Sequence, residues 1–81
     1  MTNLQQLRLK KGWTQPQLAK ASGITLRTIQ AYEIDFRDIN KASMDIVFKL
    51  CNALECEVGE LLTDKKLVKL IDNYIDNIYC E

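Results

Sequence analysis

The stretch GWTQPQLAKASGITLRTIQAYE, residues 12–33, decides the fold, because it has the features of two short helices joined at a glycine. Thr14 and Gln17 stand three residues apart, as in the capping box that begins many helices. Gly23 can take the backbone conformation of a sharp corner, and Thr25 can cap the helix that follows. The stretch therefore predicts a helix-turn-helix.

The apolar residues of this stretch predict how its two helices pack. Ala19 is small, which allows the helices to cross closely, and Ile24 follows the corner glycine as a residue that can insert beneath it. Ile29 and Tyr32 lie about one turn apart on one face of the second helix. We expect these four residues to join the helices, so that the other residues of the second helix face outward.

Helix signals continue on both sides of this stretch, and strand signals are nearly absent. Thr2 can cap a first helix that Gly12 ends. Ser43 can cap a fourth helix, and residues 56–62 are typical of a short fifth. Thr63 can begin a sixth, unless the fifth helix runs straight into it. A chain of 81 residues suits one small domain. The predicted fold class is all-α.

Charge is distributed unevenly along the chain, although the net charge is zero. Residues 1–41 carry seven Lys and Arg against three acids, and residues 42–81 carry four Lys against eight acids, so the two halves have net charges of +4 and −4. A molecule polarised in this way can turn a basic surface toward a polyanion. The pattern favours a negatively charged partner without identifying it.

Several function classes lack the residues they need. The sequence has no histidine, no glycine-rich phosphate loop and no paired nucleophile motif, so we expect no enzyme, no cofactor and no metal. Cys51, Cys56 and Cys80 are an odd number of cysteines, which we expect to be reduced structural thiols. With no apolar run of membrane-spanning length and no signal-peptide core in residues 1–11, we expect a soluble cytoplasmic protein.

The sequence resembles the Cro/C1-type (XRE-like) helix-turn-helix family, which includes the lambdoid phage repressors. The matching residues run from LRLKKGWTQPQLAKASGITLRTIQAYE, residues 7–33, through LCNALECEVGELL, residues 50–62, and the resemblance covers roughly residues 3–62. Its most specific part is an ordered set of residues: Gln15, Leu18, Ala19, Gly23, Ile24, Ile29, Tyr32 and Glu33. The resemblance implies a five-helix lambda-repressor-like DNA-binding domain over residues 1–62. Residues 63–81 lie beyond it, and their helical spacing predicts an additional C-terminal helix in this extension.

The resemblance also implies which residues contact DNA. The second helix of the motif, about residues 25–34, enters the major groove of double-stranded DNA. Arg27 can pair with guanine, Gln30 with adenine, and Leu26 can only make apolar contact, as with a thymine methyl. The alternative for each residue is a solvated helix surface. The candidate base contacts are Thr25, Leu26, Arg27, Thr28, Gln30 and Ala31.

Phosphate contacts are expected at the start of the first motif helix and in the loop after the second. A helix N-terminus favours an anion. The candidates are Thr14, Gln15, Arg37, Asn40 and Lys41. Asp35 stands where relatives usually have glycine, and it tolerates a left-handed backbone. Phe36 and Ile39 can enter the core and shape this loop.

Two further features concern structure and assembly. By the resemblance, Arg8 and Glu33 form a structural ion pair that holds the reading helix against the first helix. In the extension an apolar stripe follows helical spacing: Leu67, Leu70, Ile71, Tyr74, Ile75 and Ile78. The stripe packs either on its own domain or on a second copy, where Leu67, Ile71, Tyr74, Ile75 and Ile78 would form the homodimer contact.

These observations favour a small sequence-specific DNA-binding regulator, most simply a repressor that occupies promoter DNA. The alternative is a protein-interaction module on the same fold, such as an antitoxin or a subunit that bridges transcription proteins.

Overall fold

The computed structural model describes residues 1–79 of the chain, with side chains described up to Tyr74. Over these residues every regular element of secondary structure is a helix, so the fold is all-α, as the sequence predicts. The helices are α1 (Asn3–Lys10), α2 (Gln15–Ser22), α3 (Leu26–Glu33), α4 (Met44–Leu54), α5 (Val58–Leu61) and α6 (Lys65–Tyr79), with a 3-10 turn, Ile39–Lys41, between α3 and α4.

The caps of the central motif are those that the sequence predicts. The N–H of Gln17 donates to Thr14 Oγ1, and the N–H of Thr14 donates to Gln17 Oε1, which completes a capping box at the start of α2. Gly23 ends α2 with a left-handed φ of 74°. The N–H of Thr28 donates to Thr25 Oγ1 at the start of α3. Local hydrogen bonds therefore fix the residues at which α2 and α3 begin.

One apolar core joins the motif to the helices that follow it. Leu18 of α2 and Ile29 of α3 have no solvent exposure, and Ile24 is buried between them in the turn. Ala19 is half-buried and packs against this core, in keeping with a close crossing of the two helices. The buried residues from α4 and α5 are Val47, Leu50, Cys51, Leu54 and Leu61.

Helix α6 begins two residues later than the sequence predicts. The N–H groups of Lys66 and Leu67 donate to Asp64 Oδ1, so Asp64 caps a helix that starts at Lys65. Thr63 cannot serve as the cap, because it is engaged elsewhere: its N–H donates to Asn40 Oδ1 over 2.9 Å, and its hydroxyl accepts from Asn40 Nδ2 over 2.8 Å.

The apolar stripe of α6 divides between the core and the surface. Ile71 is 7% exposed and belongs to the core, and Leu67 is half-buried against it. Leu70 and Tyr74 are 66% and 67% exposed. The side chains of Ile75 and Ile78, and the whole of Cys80, lie outside the described residues. The first part of α6 thus packs on its own domain, and an exposed apolar pair remains beside it.

The packing of α6 gives a first prediction. Replacing Ile71 with Ala removes buried methyl and methylene groups and should lower the free energy of unfolding by about 2–4 kcal/mol. Lys69→Ala is the matched control on the same helix and should change it by less than about 0.5 kcal/mol, because that side chain is exposed. Urea denaturation measures both values, and equal effects would contradict the docking of α6 through Ile71.

Candidate nucleic-acid interface

Helix α3 presents a polar outer surface and buries its inner one. Arg27 and Gln30 are exposed, and Leu26 is 37% exposed at the first position of the helix. On the opposite side Ile29 and Tyr32 are buried. The helix is thus held by its apolar side while these side chains remain free to touch a partner.

The other three predicted base-contact residues are less available. Thr28 and Ala31 are half-buried. Thr25 is exposed, but its hydroxyl lies 2.8 Å from the hydroxyl of Thr28 and also accepts the N–H of Thr28. These two threonines therefore serve the start of α3, and a contact with DNA would add to that role.

A buried ion pair fixes the far end of α3. Arg8 of α1 donates from Nε to Glu33 Oε2 over 2.7 Å and from Nη2 to Glu33 Oε1 over 3.0 Å. Its Nη1 donates to the carbonyl oxygen of Trp13 over 2.7 Å. The Glu33 side chain is only 1% exposed. The pair therefore ties α1, the loop before α2 and the last residue of α3 together.

The side chain of Gln15 joins this pair to the outer surface, which the sequence did not indicate. Gln15 Nε2 donates to Glu33 Oε1 over 3.1 Å. Gln30 Nε2 donates to Gln15 Oε1 over 3.4 Å. The first residue of α2 is thus in contact with both the buried carboxylate and an exposed residue of α3.

The N-terminus of α2 offers a backbone donor at the same place. The capping box occupies the N–H groups of Thr14 and Gln17, and Pro16 has none. Among the described residues, the N–H of Gln15 has no acceptor. A helix N-terminus with a free N–H favours an anion such as a phosphate.

A family comparison agrees with this arrangement. The helix-turn-helix family model of the Cro/C1 type matches residues 4–61, from the second residue of α1 to the end of α5. The chain belongs to the Cro/C1-type helix-turn-helix family. This is a family of DNA-binding transcription regulators that are typically not enzymes. No curated protein and no solved structure matches the chain.

The loop after α3 has Asp35 where relatives usually have a glycine. Its backbone nevertheless takes the left-handed conformation expected at that position, with a φ of 63°. Ile39 is half-buried against the core, as predicted. The prediction that Phe36 enters the core is wrong, since its side chain is 80% exposed. The N–H groups of Phe36 and Arg37 both donate to the carbonyl oxygen of Ala31, which holds this part of the loop against the end of α3.

The predicted phosphate-binding residues of the loop differ in availability. Arg37 and Lys41 are exposed. Asn40 instead donates to Asp38 and Thr63, and its Oδ1 accepts the N–H groups of Thr63 and Asp64. Its amide thus connects the loop to the start of α6, and a phosphate contact by Asn40 would require these bonds to break.

The cysteines in the described region have the character of structural thiols. Burial raises the pKa of Cys51 to about 12, with a smaller contribution from the neighbouring Cys56. Burial also raises the pKa of Cys56. Both thiols are therefore protonated at neutral pH, and a thiolate is the form that acts as nucleophile or metal ligand.

Neither a metal-binding cluster nor a membrane-spanning helix occurs in the described part of the chain. It contains no group of three or more Cys, Asp or Glu side chains placed to hold a metal ion. It also contains no helix with the length and apolar character needed to cross a bilayer.

The ion pair gives the second prediction. Arg8→Ala leaves the buried carboxylate of Glu33 without its partner and should lower the free energy of unfolding by about 3–5 kcal/mol. The control is Lys49→Ala, which removes an exposed pair with Asp45 at 3.0 Å and should cost less than about 0.5 kcal/mol. Thermal and urea unfolding measure the difference. A cost for Arg8→Ala as small as the control's would contradict the clamping role.

Proposed function

We propose that this protein is a cytoplasmic transcriptional repressor that binds a specific sequence of double-stranded DNA, with α3 in the major groove. The observation that carries the proposal is the combination of an exposed polar surface on α3 with the buried Arg8–Glu33 pair beneath its end. A helix that enters a groove must protrude and must also be held firmly, and α3 meets both conditions. Repression follows most simply from occupying promoter DNA.

Base recognition is assigned mainly to the first two turns of α3. The exposed guanidinium of Arg27 can donate to guanine O6 and N7, the amide of Gln30 suits adenine, and Leu26 suits a thymine methyl. Thr25, Thr28 and Ala31 add shorter contacts at the edges of this surface. Side chains at these positions would read sequence because a helix in the major groove brings them to the base edges, whereas contacts with phosphates carry no sequence information directly.

Phosphate contacts are assigned to the start of α2 and to the loop after α3. The backbone N–H of Gln15, with Thr14 beside it, faces one phosphate position. Arg37 and Lys41 supply the exposed positive charges of the loop. Asp35 and Asp38 offset those charges in the same loop, so we expect weak binding by a monomer.

The third prediction separates base reading from phosphate binding. In a selection from a random duplex pool at low salt, the wild-type protein should enrich one sequence. Arg27→Ala should relax the preference at one position, with a loss of about 1–3 kcal/mol for the preferred duplex. Lys41→Ala should weaken binding to all duplexes about equally and reduce the salt slope by about 1.

The control for this experiment is the folded state, followed by circular dichroism. Failure of the folded wild-type protein to enrich any duplex would contradict sequence-specific binding. An unchanged sequence preference in Arg27→Ala would remove that residue from the base contacts.

We also propose that the protein acts as a homodimer through α6. The supporting observation is the exposed apolar pair Leu70 and Tyr74, which lies beside the buried Ile71. A two-fold dimer can set two recognition helices about 34 Å apart, one turn of DNA, on a palindromic operator. Dimerisation would also offset the weak binding of a single copy.

The fourth prediction tests this assembly. Tyr74→Asp places a charge in the proposed contact and should shift the dimer toward monomer by at least about tenfold in dissociation constant. Phe36→Asp is the control, since it removes another exposed aromatic residue, 80% exposed against 67% for Tyr74, that lies far along the chain from α6. Sedimentation equilibrium measures both variants. Loss of the dimer in Phe36→Asp alone would place the contact elsewhere.

One observation favours the second candidate, a protein-interaction module. An open groove of about 1190 Å³ lies between α4, α5 and α6, and the exposed side chains of Met44, Phe48, Leu70 and Tyr74 contribute to its lining. Such a groove can accept an apolar segment of another protein. The random duplex selection distinguishes the candidates, because an interaction module should select no DNA sequence.

A further inference from the structure

Three side chains form a hydrogen-bonded series from the buried ion pair to the outer surface of α3. Glu33 accepts from Gln15 over 3.1 Å, and Gln15 accepts from Gln30 over 3.4 Å. Glu33 is buried, Gln15 is half-buried and Gln30 is exposed. The series therefore leads from a fixed group in the interior to a candidate base-reading group.

The chemistry of the carboxylate sets the direction of every bond in this series. An ionised carboxylate can only accept hydrogen bonds, whereas a glutamine amide has one accepting end and one donating end. Gln15 must therefore turn its NH₂ group toward Glu33, which leaves its oxygen toward Gln30. Gln30 must in turn direct its NH₂ group toward Gln15. An amide orientation that is ambiguous for an isolated side chain is determined here by the network.

Arg8 keeps the origin of the series fixed. It donates to both oxygens of Glu33, at 2.7 and 3.0 Å, and so holds the carboxylate in one orientation. Without that constraint the carboxylate could rotate, and the two amides could follow it.

We propose that Glu33 acts through Gln15 as a positioning residue that makes Gln30 select adenine over guanine. With one N–H committed to Gln15, Gln30 presents its oxygen and one remaining N–H. Adenine offers the matching pair in the major groove, the N6 donor and the N7 acceptor. Guanine offers two acceptors, O6 and N7, so the oxygen of Gln30 would face another oxygen. This inference rests on the proposed function and specifies one base of its target.

The test uses Gln15→Met, which keeps the length of the side chain and the backbone N–H of residue 15 but removes the amide. The probes are the duplex that the wild-type protein selects from a random pool and the same duplex with A·T changed to G·C at the position read by Gln30. That position is the one at which Gln30→Ala abolishes base preference. The wild-type protein should prefer adenine by about tenfold or more.

In Gln15→Met the preference should fall to about threefold or less. The measured quantity is this ratio, because residue 15 is also a candidate phosphate contact and its loss can lower the affinity for every duplex alike. In the Gln30→Ala background, adding Gln15→Met should leave the ratio unchanged, because the amide that it positions is gone. A uniform loss of affinity with an unchanged ratio in Gln15→Met would overturn the positioning role and leave a phosphate contact. A folded wild-type protein that selects no duplex would overturn the proposed function itself, and with it the adenine preference.

A measurement on the wild-type protein without DNA keeps the inference testable if Gln15→Met fails to fold. The side-chain amide nitrogens of Gln15 and Gln30 should have higher NMR order parameters than that of Gln5, which is half-buried like Gln15 and whose side-chain amide has no partner among the described residues. Nuclear Overhauser contacts should connect the NH₂ protons of Gln15 with the methylene protons of Glu33. Order parameters equal to that of Gln5 for both amides would overturn the series.

Discussion

The bidentate contact between Arg8 and the buried carboxylate of Glu33 is the constraint on which the rest of the interface depends. It connects the end of α1 with the end of α3, and through the carbonyl oxygen of Trp13 it also holds the loop before α2. Two charges so nearly removed from water are tolerated because their hydrogen bonds are satisfied within the protein. The position of α3 is therefore set by a polar contact at its end together with apolar packing along its inner side.

Positive charge and exposed apolar surface lie in different parts of the chain. The net charge of +4 lies in residues 1–41, which hold the motif and the loop after it, and the net charge of −4 lies in residues 42–81. The exposed apolar groove between α4, α5 and α6 belongs to the second, acidic part. The proposed nucleic-acid contacts and the proposed protein contacts therefore fall on different parts of one small domain.

Local features of the sequence predicted the fold well because their physics is local. The capping box of Thr14 and Gln17 and the left-handed Gly23 act over two to four residues, and the structure has them where the sequence placed them. The contacts of Gln15 with Glu33 and of Asn40 with Thr63 join residues 18 and 23 positions apart, and no periodic pattern encodes them. Phe36 was misplaced because hydrophobicity alone does not tell which way a residue points after a left-handed Asp35. The candidate base contacts came from family resemblance, since an exposed polar helix surface has no distinctive pattern of its own.

The side-chain amide of Asn40 connects the loop after α3 with the residues that lead into α6. Its four hydrogen bonds span the segment between Arg37 and Lys41 and the first residues leading into α6. Because Thr63 and Asp64 lead directly into α6, a change in the position of that helix and a change in the loop would each disturb the same bonds. Thermodynamic linkage would make such an influence equal in both directions. Asn40 is therefore the side chain through which a shift in one of these segments would be felt in the other.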